Sequence, residues 1–361
     1  MTTAPRRHGA GPRGTPSATR WIADGHLDLA YLALSGRDLT APRADDDRGC
    51  VTLPALARGG VRLAFATIFT ELGGDPATNP VAYRESADAA AAEAAGLRQL
   101  ECYEALERAG HLRIVRSDED LPASMATTIG ASPVPGEAAR EADALRIVIL
   151  MEGADPIRDA GCAARWVARG VRAVGLSWAL GSRFAGGNGA PGPLTGAGRE
   201  LVAALDELGV VHDASHLSDE GFDELLALAR GRIMASHSNC RALAGESQRH
   251  LADDQIRAIG ARGGVVGLNL FGKFLVTGRR ATIDDCVAHV ERAASIMGHR
   301  RGVALGSDMD GGFGPSDLPA GLDAPERLPA LVDALQARGW SDAECAGFAH
   351  GNWLRFMQGA A

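Results

Sequence analysis

Six side chains able to bind a metal or move a proton fall at the ends of apolar runs in this chain. His26 and Asp28 close the segment Ala23-Asp24-Gly25-His26-Leu27-Asp28, and Glu152 stands in Met151-Glu152-Gly153. His216 ends Asp213-Ala214-Ser215-His216, and His237 lies in Ala235-Ser236-His237-Ser238-Asn239. Asp308 opens the turn in Gly306-Ser307-Asp308-Met309-Asp310-Gly311. Burying three imidazoles and three carboxylates together is costly unless a metal or a closed hydrogen-bonded network compensates. Imidazole nitrogen with carboxylate oxygen suits zinc, with an open position left for water, although manganese or cobalt would accept the same donors. Three histidines and two carboxylates suffice for two metals if one carboxylate bridges. Such a pair, about 3.5–4 Å apart, shares one hydroxide and polarises a carbonyl. Singly, each residue has an ordinary structural reading, a histidine at a strand end being more often a hydrogen-bonded core residue. Only their recurrence at the same end of successive runs points to a site.

The elements that would position them are eight short β-type runs, at residues 21–28, 62–69, 146–152, 172–177, 210–215, 232–236, 265–270 and 303–307. Most are continuously apolar, as expected of parallel strands covered on both faces. Helix signals fill the intervals. Residues 83–110 are rich in Ala and Glu and stop at Gly110, and residues 201–208 stop at Gly209. Ser218 precedes Asp219 and Glu220, a helix runs from Thr282 to near Gly298, and Ser341 with Glu344 forms a capping box. Eight β/α alternations predict a (β/α)8 TIM barrel, with a doubly wound open sheet as the alternative. In a barrel the carboxyl ends of the strands form the active-site mouth. His26 and Asp28, two apart on extended backbone, point to one side. Residues 70–80, 122–139 and 181–193, rich in Gly, Pro or small side chains, read as loops over that mouth. His8, His111, His250, His289, His299 and His350 read as tail or helix residues. His212 is ambiguous: it sits in a strand, and its even spacing from His216 allows a place deeper on the same face.

Composition narrows the function. With 361 residues, 46% of them hydrophobic and 23% charged, the chain can bury a large core. One domain over residues 21–361 is expected after a flexible tail at 1–20. The net charge is −8, from 37 basic against 45 acidic side chains, and no basic cluster exceeds the pair Arg6 and Arg7. That excludes the electrostatic footprint of a nucleic-acid binder and favours a small molecule or peptide. Six scattered cysteines without a C-x-x-C pair read as reduced thiols. No run reaches transmembrane length, and residues 1–20 lack the apolar core of a signal peptide, so no membrane partner and a cytoplasmic location are expected.

From about Ile22 to Phe356 the chain resembles the membrane (renal) dipeptidase family of zinc metallopeptidases. Asp24-Gly25-His26-Leu27-Asp28 is similar to the family's D-G-H-N-D opening, with Leu27 in place of Asn. The segments at Glu152, His216, His237 and Asp308 resemble its E-G, D-x-S-H, S-H-S-N and G-S-D-F-D-G elements, and Gly351-Asn352-Trp353-Leu354-Arg355 its closing G-N-x-x-R. The resemblance implies two zinc ions per subunit, one on His26 and Asp28, the other on His216 and His237, bridged by Glu152. It further implies attack on a peptide carbonyl by a metal-bridged hydroxide, with Asp308 as general base and then acid. Arg249, in Gln248-Arg249-His250-Leu251, would clamp the terminal carboxylate of a dipeptide, and a homodimer is implied as well. One departure stands out: Leu176-Ser177-Trp178-Ala179 carries Trp178 where the best-known members place a carbonyl-polarising histidine. An indole donates one hydrogen bond but carries no charge, so oxyanion stabilisation would fall mainly to the metals. Three functions stay open: a dipeptidase tolerant of a C-terminal D-residue, an amide or lactam hydrolase of a specialised metabolite, and a metal-binding barrel without catalysis.

Overall fold

All eight expected runs are strands. In the computed structural model, which describes residues 21–43, 49–121 and 144–359, they are β1 (Ile22–Leu27), β2 (Val61–Phe69), β3 (Leu145–Glu152), β4 (Val171–Gly175), β5 (Val211–Asp213), β6 (Ile233–Met234), β7 (Val266–Leu268) and β8 (Val303–Leu305). The tail expected at 1–20 and the loop expected at 122–139 lie outside the described residues. Every neighbouring pair is parallel, in the order β6-β5-β4-β3-β2-β1-β8-β7. The ring closes through the parallel bridge between Ala235 and Val266, where Ala235 N donates to Val265 O (2.9 Å) and Gly267 N to Ala235 O (2.8 Å). The chain is therefore a barrel, and the open-sheet alternative falls away. A short extra strand, Leu112–Ile114, pairs with the start of β3.

Apolar residues separate into two layers because alternate residues of each strand face opposite sides. Ala23, Leu63, Phe65, Val148, Leu150, Ala173, Val211, Met234 and Ala304 fill the lumen. Trp353, on the C-terminal helix Asn352–Met357, plugs its base; its ring lies 4.8 Å from Phe65 and its Nε1 donates to Leu305 O at 2.7 Å. The opposite parity, including Ile22, Ala64, Ile147, Ile149 and Val174, packs beneath the helices. Parity carries a functional consequence: Val148 and Leu150 point inward, so Glu152 emerges at the mouth. On β1 parity is broken. Asp24 lies opposite Ala64 but Leu27 opposite Ala66, three residues against two. Such a bulge re-aims side chains, and it turns His26 inward although Ile22, of the same parity, faces the helices.

Close packing across the lumen requires glycine. A Cβ on Gly25, Gly267 or Gly306 would stand 2.8, 1.9 or 1.9 Å from the Ser236 carbonyl oxygen. Helix ends follow the sequence signals. The Ser218 hydroxyl accepts from Gly221 N over Asp219–Leu228, Ser341 and Glu344 cap Asp342–Ala346 reciprocally, and Gly298 ends Ile283–Met297 at φ 75°. Two expectations need correction. The helix read from residue 83 starts at Ala89, because Ala82–Tyr83 pairs with Glu71–Leu72. The stretch read as loop at 181–193 contains the antiparallel hairpin Ala185–Gly187 with Ala190–Leu194. Among the described residues no helix is long and apolar enough to cross a membrane.

Candidate active site

The six ionisable residues meet at the carboxyl end of the barrel. His26 Nε2 lies 3.7 Å from Asp28 Oδ1, 3.6 Å from Glu152 Oε2 and 4.0 Å from Asp308 Oδ1. The other oxygen of Glu152, Oε1, lies 3.0 Å from His216 Nε2 and 3.3 Å from His237 Nε2. The two last nitrogens are 3.1 Å apart, and the rings of His26 and His237 stack at 3.6 Å. All six residues are at most 9% exposed.

Unscreened charge at such density perturbs the groups strongly. Burial disfavours charge on His26, but Glu152, Asp28 and Asp308 outweigh it and hold the imidazolium up to a pKa of about 10. Burial would also raise Glu152; the positive charge on His26 instead holds it well below the usual carboxylate range. Asp308 is pushed up to about 7 and Asp28 to about 6, chiefly by burial. Burial likewise lowers His216 to about 4 and holds His237 well below its usual value, which favours the neutral, ligand-type imidazole at both.

The donor set suits zinc. Ligands held about 2.0–2.1 Å from a tetrahedral ion stand roughly 3.3–3.4 Å from each other, close to the separations around each Glu152 oxygen. His26, Glu152 and His237 form one potential ligand group, and His26, Asp28 and Asp308 another. Tautomers agree. Asn188 Oδ1 lies 2.9 Å from His216 Nδ1, so that nitrogen carries the proton and Nε2 offers its lone pair inward. Asn188 comes from the turn of the hairpin, and no signal in the glycine-rich sequence distinguishes it.

Backbone strain marks two of these residues and, beside Asp308, Asp310 (φ 63°). His216 (φ 65°) and Asp308 (φ 58°) are left-handed without being glycine, a conformation that persists where surrounding structure enforces it. Asp308 N donates to His26 O (3.1 Å), and Asn269 Nδ2 holds Asp308 Oδ2 at 2.8 Å. Thr67 Oγ1 donates to Asp28. Asp310 is not among the site groups; it pairs with Arg37 and accepts from the backbone of Cys50 and Val51 (each 2.8 Å).

Arg249 is buried beside the site, 5% exposed. Its Nη2 donates to His237 O (2.8 Å) and its Nη1 to Ser238 Oγ (3.1 Å), while its buried Nε has no partner. Trp178 is half-buried at the rim, its ring 6.1 Å from His216 and 4.9 Å, edge-on, from Phe69; Tyr31 continues the row 6.3 Å from Phe69. His212, ambiguous in the sequence, takes a structural place. Its Nε2 meets Asp206 Oδ1 (2.8 Å), on the helix Gly196–Glu207, so it faces the helix layer and lies outside the lumen.

A parallel barrel with clustered imidazoles and carboxylates at its carboxyl rim defines a metal-dependent hydrolase class. The comparisons with known proteins narrow it. Residues 17–361 match the family described as Membrane dipeptidase (Peptidase family M19), and the chain belongs to that family of metallo-dipeptidases. A Klebsiella pneumoniae protein, described as uncharacterized in the pqqA 5' region, is 34% identical over 263 residues, 69% of this chain and 89% of its own. Dipeptidase 3 of Macaca fascicularis is 29% identical over 46% of this chain and 33% of its own. A metallo peptidase from Rhodobacter sphaeroides, liganded with a phosphinate mimic of the dipeptide L-Ala-D-Ala, superposes with a TM-score of 0.77 at 26% identity, covering 94% of this chain and 98% of that one.

Proposed function

We propose that this chain is a two-zinc dipeptidase that hydrolyses the single peptide bond of a dipeptide, including dipeptides ending in a D-residue. The observation that carries the reading is Glu152, whose two oxygens face different imidazole sets, Oε2 toward His26 and Oε1 toward His216 and His237. His26 and Asp28 would hold one ion, His216 and His237 the other, with Glu152 between them. Zinc in this position supplies an activated water and polarises the scissile carbonyl.

The remaining work falls to the protein's own groups. Asp308, tied at Oδ2 by Asn269, keeps Oδ1 toward His26 and is placed to take the water's proton there and return it to the leaving amine. Arg249 would bind the carboxylate at the substrate's C-terminal end, since its buried Nε is unpartnered and guanidinium suits a planar anion. Phe69 ends β2 and Arg249 follows β6, four strands apart around an eight-stranded ring. The row Tyr31, Phe69 and Trp178 therefore stands across the mouth, where it would receive the side chain of the N-terminal residue. Trp178, uncharged where a histidine is expected, favours the second reading, hydrolysis of another amide or a lactam. The six free cysteines suit a reducing compartment such as the cytoplasm.

Metal analysis of the purified chain with a panel of L,L and L,D dipeptides tests both. Two zinc ions per chain and amino-acid release from at least one dipeptide are expected. Zinc binding with no dipeptide cleaved would leave the amide or lactam reading in its place.

A further inference from the structure

Two residues of the site motifs, Asp213 and Ser236, have no part in the chemistry above, yet they are buried at its centre (2% and 0% exposed). Asp213 Oδ1 accepts from the backbone N–H groups of Ser215 (3.0 Å) and Ser236 (2.9 Å). Its Oδ2 accepts from the Ser236 hydroxyl at 2.6 Å. A serine hydroxyl has one proton, and this one is committed to Asp213. Its lone pairs are thus what face the two nearby imidazoles, His237 Nδ1 at 2.7 Å and His26 Nδ1 at 3.4 Å. An imidazole nitrogen beside an acceptor must carry the proton. We infer that Ser236, oriented by Asp213, is a positioning residue that holds a proton on Nδ1 of both His237 and His26, so that Nε2 of each is the nitrogen left to a metal.

His26 and His237 belong to different metal positions in the function proposed above, on which this inference rests. One hydroxyl therefore serves both halves of the centre. Asn188 performs the same service for His216 alone. The donation through Ser236 has one direction, from the imidazoles to the hydroxyl and from the hydroxyl to Asp213, which also accepts from the two backbone N–H groups. Reversing it requires no loss of packing. In Asp213→Asn the two backbone N–H groups keep the side-chain oxygen on their side, so the amide NH2 turns to Ser236 and donates to it. The serine proton then turns to His237 Nδ1, its nearest remaining acceptor at 2.7 Å against 3.3 Å for Ser215 Oγ, which moves the proton of His237 to Nε2, where a metal ion would compete with it.

The test uses the full chain with Asp213→Asn and Ser236→Ala, folding being checked by thermal melting of the metal-free proteins. Zinc affinity is read by chelator competition, and the His237 tautomer by long-range proton–nitrogen NMR of the metal-free protein, assigned with His237→Gln. Zinc binding is expected to weaken about 10–100-fold in both variants. The His237 proton is expected on Nδ1 in the parent and on Nε2 in Asp213→Asn. A merely structural staple would not move that proton. A folded Asp213→Asn with the parent's tautomer, and zinc affinity within about threefold of it, overturns the inference. If Asp213→Asn does not fold, Ser236→Ala decides by the same threefold criterion. A parent chain that binds no zinc would defeat the two-metal reading, whereas the tautomer measurement, made without metal, would still judge the relay.

Discussion

Asn269 Nδ2 donates to Asp308 Oδ2 at 2.8 Å and leaves Oδ1 of the same carboxylate turned toward His26. One oxygen is anchored and the other faces the site. Asp308→Asn keeps the shape but cannot take a proton. Its kcat is expected to fall by about 10²–10⁴, with the zinc content unchanged. Equal loss of metal and activity, measured on the same preparation, would show that Asp308 acts through the metals instead.

Gly311 makes room for that carboxylate. A Cβ there would stand 2.0 Å from Asp308 Oδ1, so Gly311→Ala must displace the oxygen facing the site. A shift of about 1 Å can cost on the order of 10²-fold in rate. A kcat loss of that size, with KM and melting temperature close to the parent's, is the expected result of steady-state kinetics.

Arg249→Lys separates binding from chemistry. Lysine retains the charge but loses the planar fork and the donors to His237 O and Ser238 Oγ. A lost hydrogen bond to a charged group is worth about 1.5–3 kcal/mol. KM for a dipeptide is expected to rise at least tenfold with kcat less affected, while a substrate amidated at its C-terminus should not discriminate the two proteins.

The aromatic row beside His216 predicts a preference at the N-terminal residue of the substrate. Dipeptides beginning with Phe or Leu are expected to exceed those beginning with Gly in kcat/KM by about tenfold, the range that one apolar pocket supplies. Trp178→Ala should erase that margin. Equal rates for Gly- and Phe-initiated substrates in the parent would remove the row from the binding site.

Acid stability should depend on His350, which packs edge-on against Trp21 at 4.1 Å and has a buried, unpartnered Nδ1. Burial lowers its pKa to about 4 in the folded chain, against 6.5 ordinarily. Between these values the unfolded chain binds the extra proton, so stability is intact above about pH 6.5 and declines as pH falls toward 4. The contribution lost by pH 4.5 is about 2–3 kcal/mol. Urea unfolding at pH 7 and pH 4.5 should show a smaller difference for His350→Phe than for the parent.

Much of the barrel is written locally. The eight strands are legible because strands covered on both faces must be apolar throughout, and helix ends announce themselves through Ser218, Ser341 and Gly298. The clustering of His26, Asp28, Glu152, His216, His237 and Asp308 followed from one rule, that successive parallel strands deliver their carboxyl ends to one rim. Tertiary structure alone decided what surrounds them. Period-two alternation separates two faces but does not say which is the lumen, so His212 is ambiguous in the sequence and faces a helix in the fold, while a bulge in β1 turns His26 inward. Asn188 and Asn269 touch site groups from 28 and 39 residues away, and Asp213 reaches Ser236 behind them from 23; no local pattern encodes partners at such separations. Arg249, too, is buried through contacts its own segment does not announce, with the His237 carbonyl, the Ser238 hydroxyl and the Phe274 ring. Local sequence sets which conformations each segment prefers; the partner of each proton is set by the closed packing of all of them together.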